Sequence, residues 1–97
     1  MTALHDLSAV ALLDGFRTKT LSPVDVARDV LAHIAAWEPH LHATYALDPD
    51  AALAQAEASQ ARWTKGEPRG ALDGVPVTIK ENIATRGVPV PLGTAAT

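Results

Sequence analysis

Leu72-Asp73-Gly74-Val75-Pro76-Val77-Thr78-Ile79-Lys80-Glu81-Asn82 holds the one run in this 97-residue chain that reads clearly as a β-strand. Val75, Val77 and Ile79 alternate with Pro76, Thr78 and Lys80, so the apolar side chains fall on one face of an extended segment. Pro76 has no N–H to give to a ladder, which places it in the first residues of the strand or at a sheet edge. A lone strand has nothing to pair with. The only other extended candidate is a weak one, Thr44 to Leu47, around Tyr45.

Upstream of this strand the sequence changes character and predicts three helices. The first spans about Leu7 to Phe16, with Asp6 or Ser8 as its cap and Gly15 as the left-handed residue that ends it. The second has a sharper start. Ser22 is an N-cap, Pro23 takes the first helical position, and Asp25 falls in the positive first turn. Ala27, Val30, Leu31, Ile34 and Trp37 form its apolar stripe, Asp25, Arg28, Asp29 and His33 fall on the other side, and Pro39 is expected to stop it. Asp48-Pro49 repeats the cap-then-proline order and opens a third helix to about Lys65, with Gly66 just beyond. On it Ala52, Leu53, Ala56, Ser59, Gln60 and Trp63 recur at helical spacing. That surface is mostly alanine, which suits close approach but adds little burial per residue.

Composition bounds the function. Hydrophobic residues make up 47% and charged residues 20%, so the chain is globular rather than a disordered acidic tail. Eight Lys+Arg against eleven Asp+Glu give a net charge of -3 without a basic block, which excludes an electrostatic nucleic-acid footprint. The absence of cysteine removes disulfides, thiol nucleophiles and thiolate-bound zinc. Met1 to Asp6 has no signal-peptide pattern, and the apolar run Ala9 to Leu13 is far short of the roughly 18 residues of a membrane span. A cytoplasmic setting is the expectation. Gly66, Gly70 and Gly74 recur every four residues but precede no Gly-Lys-Ser/Thr, so no phosphate loop is expected. His40 and His42 have no third ligand near them and read as joint residues, while His5 and His33 read as isolated, so no metal site is expected.

Lys80 carries the candidate chemistry. It ends the strand, and in open α/β sheets ligand sites form at the carboxyl ends of strands. Two readings fit the residues alone. In one, Lys80 is a solvated charge or an ion-pair partner of Glu81. In the other it is desolvated, its pKa pushed down from about 10.4, and its neutral amine serves as a base.

The segment Gly74-Val75-Pro76-Val77-Thr78-Ile79-Lys80-Glu81-Asn82-Ile83 resembles the lysine motif of the amidase signature family, Gly-Val/Ile-Pro-x-x-x-Lys-Asp-Asn. Gly87-Val88-Pro89 and Gly93-Thr94 are similar to its continuation, and the helix after Leu21-Ser22-Pro23, the pair His42-Ala43 and the alanine-rich helix resemble the family's N-terminal part. Glu81 departs from the commoner aspartate, keeping the charge on a longer arm. The resemblance implies carboxamide C–N hydrolysis by a Ser–cis-Ser–Lys triad, with Lys80 as the base and Gly74, Pro76, Glu81 and Asn82 as supporting motif residues. Lys80 would take a proton through a bridging serine, freeing the nucleophilic serine to form an acyl-enzyme. Both family serines lie downstream of the lysine. Here Ser8, Ser22 and Ser59 all precede Lys80, so the triad has only its lysine in these 97 residues.

The expected fold is therefore α/β: the N-terminal part of an amidase signature α/β/α sandwich, with residues 1–66 helical and 67–97 a strand and loop bearing the lysine motif. The 97 residues by themselves are expected to be mostly α, to be part of a domain, and to be inactive alone. An amidase acting on a small-molecule amide without cofactor is the leading reading, with the remainder of the domain as its partner and with no membrane or direct nucleic-acid contact. The alternatives are a glutamine-hydrolysing subunit of a tRNA-dependent amidotransferase and a non-catalytic helical interaction domain.

Overall fold

The cap-and-proline pairs start their helices where the sequence places them. In the computed structural model, which describes residues 3–42, 44 and 46–79, a short 3-10 turn Leu4–Asp6 precedes α1 (Ala9–Thr18), α2 (Pro23–Leu41) and α3 (Pro49–Thr64). The side chains of Ser8, Ser22 and Asp48 accept from the backbone N–H groups of Ala11, Asp25 and Ala51, and so satisfy donors that a helix N-terminus leaves free. At the far end of α3, Gly66 takes a φ of +72°. Its N–H donates to the Trp63 carbonyl at 3.0 Å, and that of Glu67 to Arg62 at 2.8 Å, the Schellman pattern.

Two helix ends differ from expectation. Gly15 does not terminate α1; it lies buried within it, and Lys19 adopts the left-handed φ of 62° instead. The glycine is needed for contact, because a Cβ at position 15 would stand 2.3 Å from Leu21 Cδ1. Pro39 does not stop α2, which continues to Leu41 before His42 turns left-handed and donates its N–H to the Glu38 carbonyl at 2.9 Å. So near the end, the proline forfeits a single backbone bond, to the carbonyl four residues back. Beyond it, the Glu38 carboxylate accepts from the Thr44 hydroxyl at 2.7 Å and from its N–H at 3.0 Å.

The core sits at the N-terminal end of α2. Val26 and Phe16 are almost wholly enclosed with Leu12, and Trp63, Leu21, Val30 and Val75 close around them. A second cluster joins Val24 and Ala27 of α2 to Ala56 and Leu53 of α3, where small side chains let the two helices meet. The predicted stripe holds at its start, where Ala27 is buried and Val30 packs on the core. It extends back to Val24 and Val26, which the sequence reading left out. Leu31 and Ile34 are half-buried, and Trp37, at the far end, is 51% exposed.

The predicted strand does not form. Val75–Ile79 has no ladder, and neither do the described residues of Thr44–Leu47; among the described residues the only regular structure is helical. The alternation is present, but with no strand beside it the backbone has no partner to pair with. The helical architecture agrees with an N-terminal part of an amidase signature domain.

Candidate functional site

Lys80, Glu81 and Asn82 lie outside the described residues, as do the two segments after them. What the structure describes is the approach to Lys80, namely a turn at Leu72–Val75 and the way it is fastened to α3. The Val75 N–H donates to the Leu72 carbonyl at 3.0 Å, and Gly74 between them has a φ of +90°. A positive φ at the third residue is the mark of a type II turn and favours glycine. Space demands glycine as well. A Cβ there would lie 2.7 Å from Ser59 Oγ and 3.1 Å from both Phe16 Cε2 and Pro23 Cγ. Gly74 thus rests directly on the core.

Asp73 fixes the turn. Its carboxylate accepts from Arg62 Nε at 2.8 Å and Nη2 at 2.7 Å, a bidentate fork, and from the Arg69 backbone N–H at 2.7 Å. Its carbonyl accepts from the Trp63 indole N–H at 3.0 Å. The Arg62 guanidinium, helped by the Arg69 N–H and opposed by burial, holds the Asp73 carboxyl well below the usual carboxylate range. Asp73 in return raises the pKa of Arg62. Sequence reading missed this clip. Arg62 and Asp73 stand eleven residues apart across a glycine-containing loop, a separation with no periodicity to expose it.

Beyond the clip, Pro76, Val77, Thr78 and Ile79 are exposed, and the first three flank a groove of about 560 Å³ between α2 and α3. Ala27, Leu31, Ile34, Leu47 and Ala56 give it apolar walls, and Ser59 and Arg62 lie at its base. Ser59 is a buried hydroxyl here, beside the Asp73 carboxylate whose pKa it helps to lower, though its Oγ makes no hydrogen bond of ordinary geometry among the described residues. Asp73 is committed to Arg62. Among the described residues, the arrangement holds a segment against α3.

The histidines are redistributed. His5 and His33 are not isolated, because their rings stack with centroids 3.8 Å apart. The His5 N–H and Nδ1 both meet Asp29 Oδ2, at 2.8 and 2.6 Å, tying the N-terminal turn to α2 and lowering the Asp29 pKa. His40 and His42 are exposed. No cluster of three metal-ligating side chains occurs among the described residues, and no helix among them is long and apolar enough to cross a membrane.

The amidase family model matches residues 25–97, from the first turn of α2 through the anchored turn and the lysine segment. The chain belongs to the amidase signature family. Its similarity to curated members extends over nearly its whole length. All three relatives compared are glutamyl-tRNA(Gln) amidotransferase subunits of one type. With that of Chloroflexus aurantiacus the chain is 41% identical over 93 residues, covering 96% of this chain and 19% of that protein. With the mitochondrial one of Aedes aegypti it is 42% identical over 77 residues, covering 79% of this chain and 15% of that protein. With that of Acidothermus cellulolyticus the identity is 39% over 93 residues, 96% of this chain and 18% of that one. The chain therefore spans about a fifth of the length of these relatives. No solved structure matches it.

Proposed function

We propose that this chain is the lysine-bearing N-terminal part of an amidase-type enzyme that cleaves carboxamide C–N bonds, with Lys80 as the base. The family match through the Gly74–Lys80 segment carries this reading. In it, the neutral Lys80 amine accepts a proton through a bridging serine as the nucleophilic serine attacks the amide carbonyl. The amine leaves with a proton, an acyl-enzyme remains, and water then releases the acid. Both serines are supplied from outside these 97 residues, so the chain alone is inactive. The names of the relatives favour one form of this chemistry, in which the amide is that of glutamine and the ammonia released serves a tRNA-dependent amidotransferase.

The test is a chimera in which this chain replaces the matching residues of the Chloroflexus aurantiacus protein. Glutamine hydrolysis by the chimera, abolished in Lys80→Ala, supports the reading; hydrolysis that survives Lys80→Ala removes Lys80 from the mechanism. Co-purification of the chimera with the other subunits of that enzyme favours the amidotransferase form, and hydrolysis of simple amides without them favours the free amidase.

A further inference from the structure

We propose that the stacked His5–His33 pair is a proton-sensitive latch, which holds the N-terminal turn on α2 near neutral pH and releases it in mild acid. His5 is the polar fastening of that turn. Its backbone N–H and its ring Nδ1 both meet Asp29 Oδ2, at 2.8 and 2.6 Å. A carboxylate oxygen only accepts, so Nδ1 is the ring nitrogen that carries the proton. The ring then lies face to face on His33, with centroids 3.8 Å apart and planes 14° from parallel. Leu4 and Leu7, on either side of His5 in the turn, pack on the core cluster of Leu12, Phe16 and Val26. Whatever frees His5 therefore loosens the cover over that cluster.

The cluster suits one positive charge and resists two. Among the described residues, the groups facing the His5 ring are Asp6 on its own turn, with Oδ1 3.7 Å from Nε2, and Asp29 and His33 on α2. The core cluster under the turn brings apolar side chains. A first proton makes an imidazolium between two carboxylates, stacked on a neutral ring, and strengthens the bond to Asp29. A second puts like charges face to face at 3.8 Å. Asp29 must then serve both, since its charge acts on His33 as well as on His5. Asp6, 64% exposed, is screened by water. The docked pair thus binds one proton where the released pair binds two, so docking is favoured at higher pH and lost as the pH falls. Histidine side chains as a class titrate at about pH 6.5, which puts the release between about pH 6 and 5. Asp29 is not its cause. Hydrogen bonds from His5 hold the Asp29 carboxyl below its ordinary 3.8, so it keeps its charge through that range.

The test is nuclear magnetic resonance on the 97-residue chain. Heteronuclear NOE values of the Leu4 to Leu7 amides are compared with those of α2 and α3 at about pH 7.5, 6.3 and 5. At the highest pH the turn should match the helices. At the lowest its values should fall by half or more, while α2 and α3 keep theirs. His33→Phe retains a ring to stack on and removes the second charge, so its turn should stay ordered at all three. Asp29→Asn removes the counter-charge, and its turn should already be loosened at the highest pH. Turn values that hold at the lowest pH overturn the proposal. So does a fall that persists undiminished in His33→Phe, a fall that α2 and α3 share, or an Asp29→Asn turn as ordered as the unaltered one.

Discussion

Gly74 and Gly70 have the same sign of φ but different surroundings, and this separates two costs of replacing a glycine. At Gly70, with a φ of +77° and nothing within 4 Å, an added methyl meets only backbone strain. At Gly74 it meets that strain and the Ser59 hydroxyl, Phe16 and Pro23 as well. Gly70→Ala should cost about 1 kcal/mol and Gly74→Ala about 2–4 kcal/mol, read as the shift in urea midpoint. Equal costs would mean that the core yields to the methyl. Asp73 makes a second residue-level prediction, this time in pH. Its folded pKa is depressed, first by Arg62, below the ordinary value of 3.8. The folded state therefore binds this proton less readily than the unfolded one, and the stability gained is complete above about pH 5. It is lost as the pH falls through 3.8 toward the folded value. Urea midpoints at pH 7, 4.5 and 3 should fall steeply in the unaltered chain and less steeply in Asp73→Asn, which already lacks the charge at pH 7. Asp29, lowered by His5, contributes in the same direction and is untouched in that variant.

At the scale of elements, caps were legible and contacts were not. Ser22-Pro23 and Asp48-Pro49 announce helix starts because the chemistry is local: an oxygen for a free N–H, and a residue that needs no N–H of its own. Gly15 misled because its role is set by Leu21 packing on it, and Val75–Ile79 misled because a strand exists only in company. The same division holds for the site. The lysine motif is a continuous word in the sequence, and its resemblance led to the family that the comparison establishes. The clip that launches it joins the last turn of α3 to a residue eleven positions on, through a loop whose path only the folded chain fixes. Pro39 makes a prediction at this scale. It is exposed in the last turns of α2 and withholds an N–H from the carbonyl of Ala35. Pro39→Ala should restore that bond and stabilise the chain by about 1 kcal/mol, raising the thermal midpoint by several degrees. A lower midpoint would show that the ring itself holds the bend toward Thr44.

The whole molecule depends on a small amount of well-placed bulk. Alanine dominates α3, so close helix approach comes at low burial, and the large enclosed side chains gather where α1, the start of α2 and the Trp63 end of α3 converge. Phe16 is at that point. It is 1% exposed, lies 6.0 Å from the Trp63 ring centre to centre, and supports Gly74 from below. It thus connects all three helices and the turn that launches the lysine segment. Truncating an enclosed phenylalanine costs about 3–5 kcal/mol, which is comparable to the whole stability of a small chain at the lower end of the usual range. Phe16→Ala should therefore leave α1, α2 and α3 unfolded together at about 25 °C, seen as loss of helical circular dichroism in one transition with the Trp63 fluorescence, read in a Trp37→Phe background. Val77→Ser, at a position 70% exposed, should change stability by less than about 0.5 kcal/mol. If Phe16→Ala loses the fluorescence signal while α2 and α3 keep their helicity, then the Val24–Ala27–Ala56 cluster folds without the other, and the lysine segment is carried by a support separate from the α2–α3 pair.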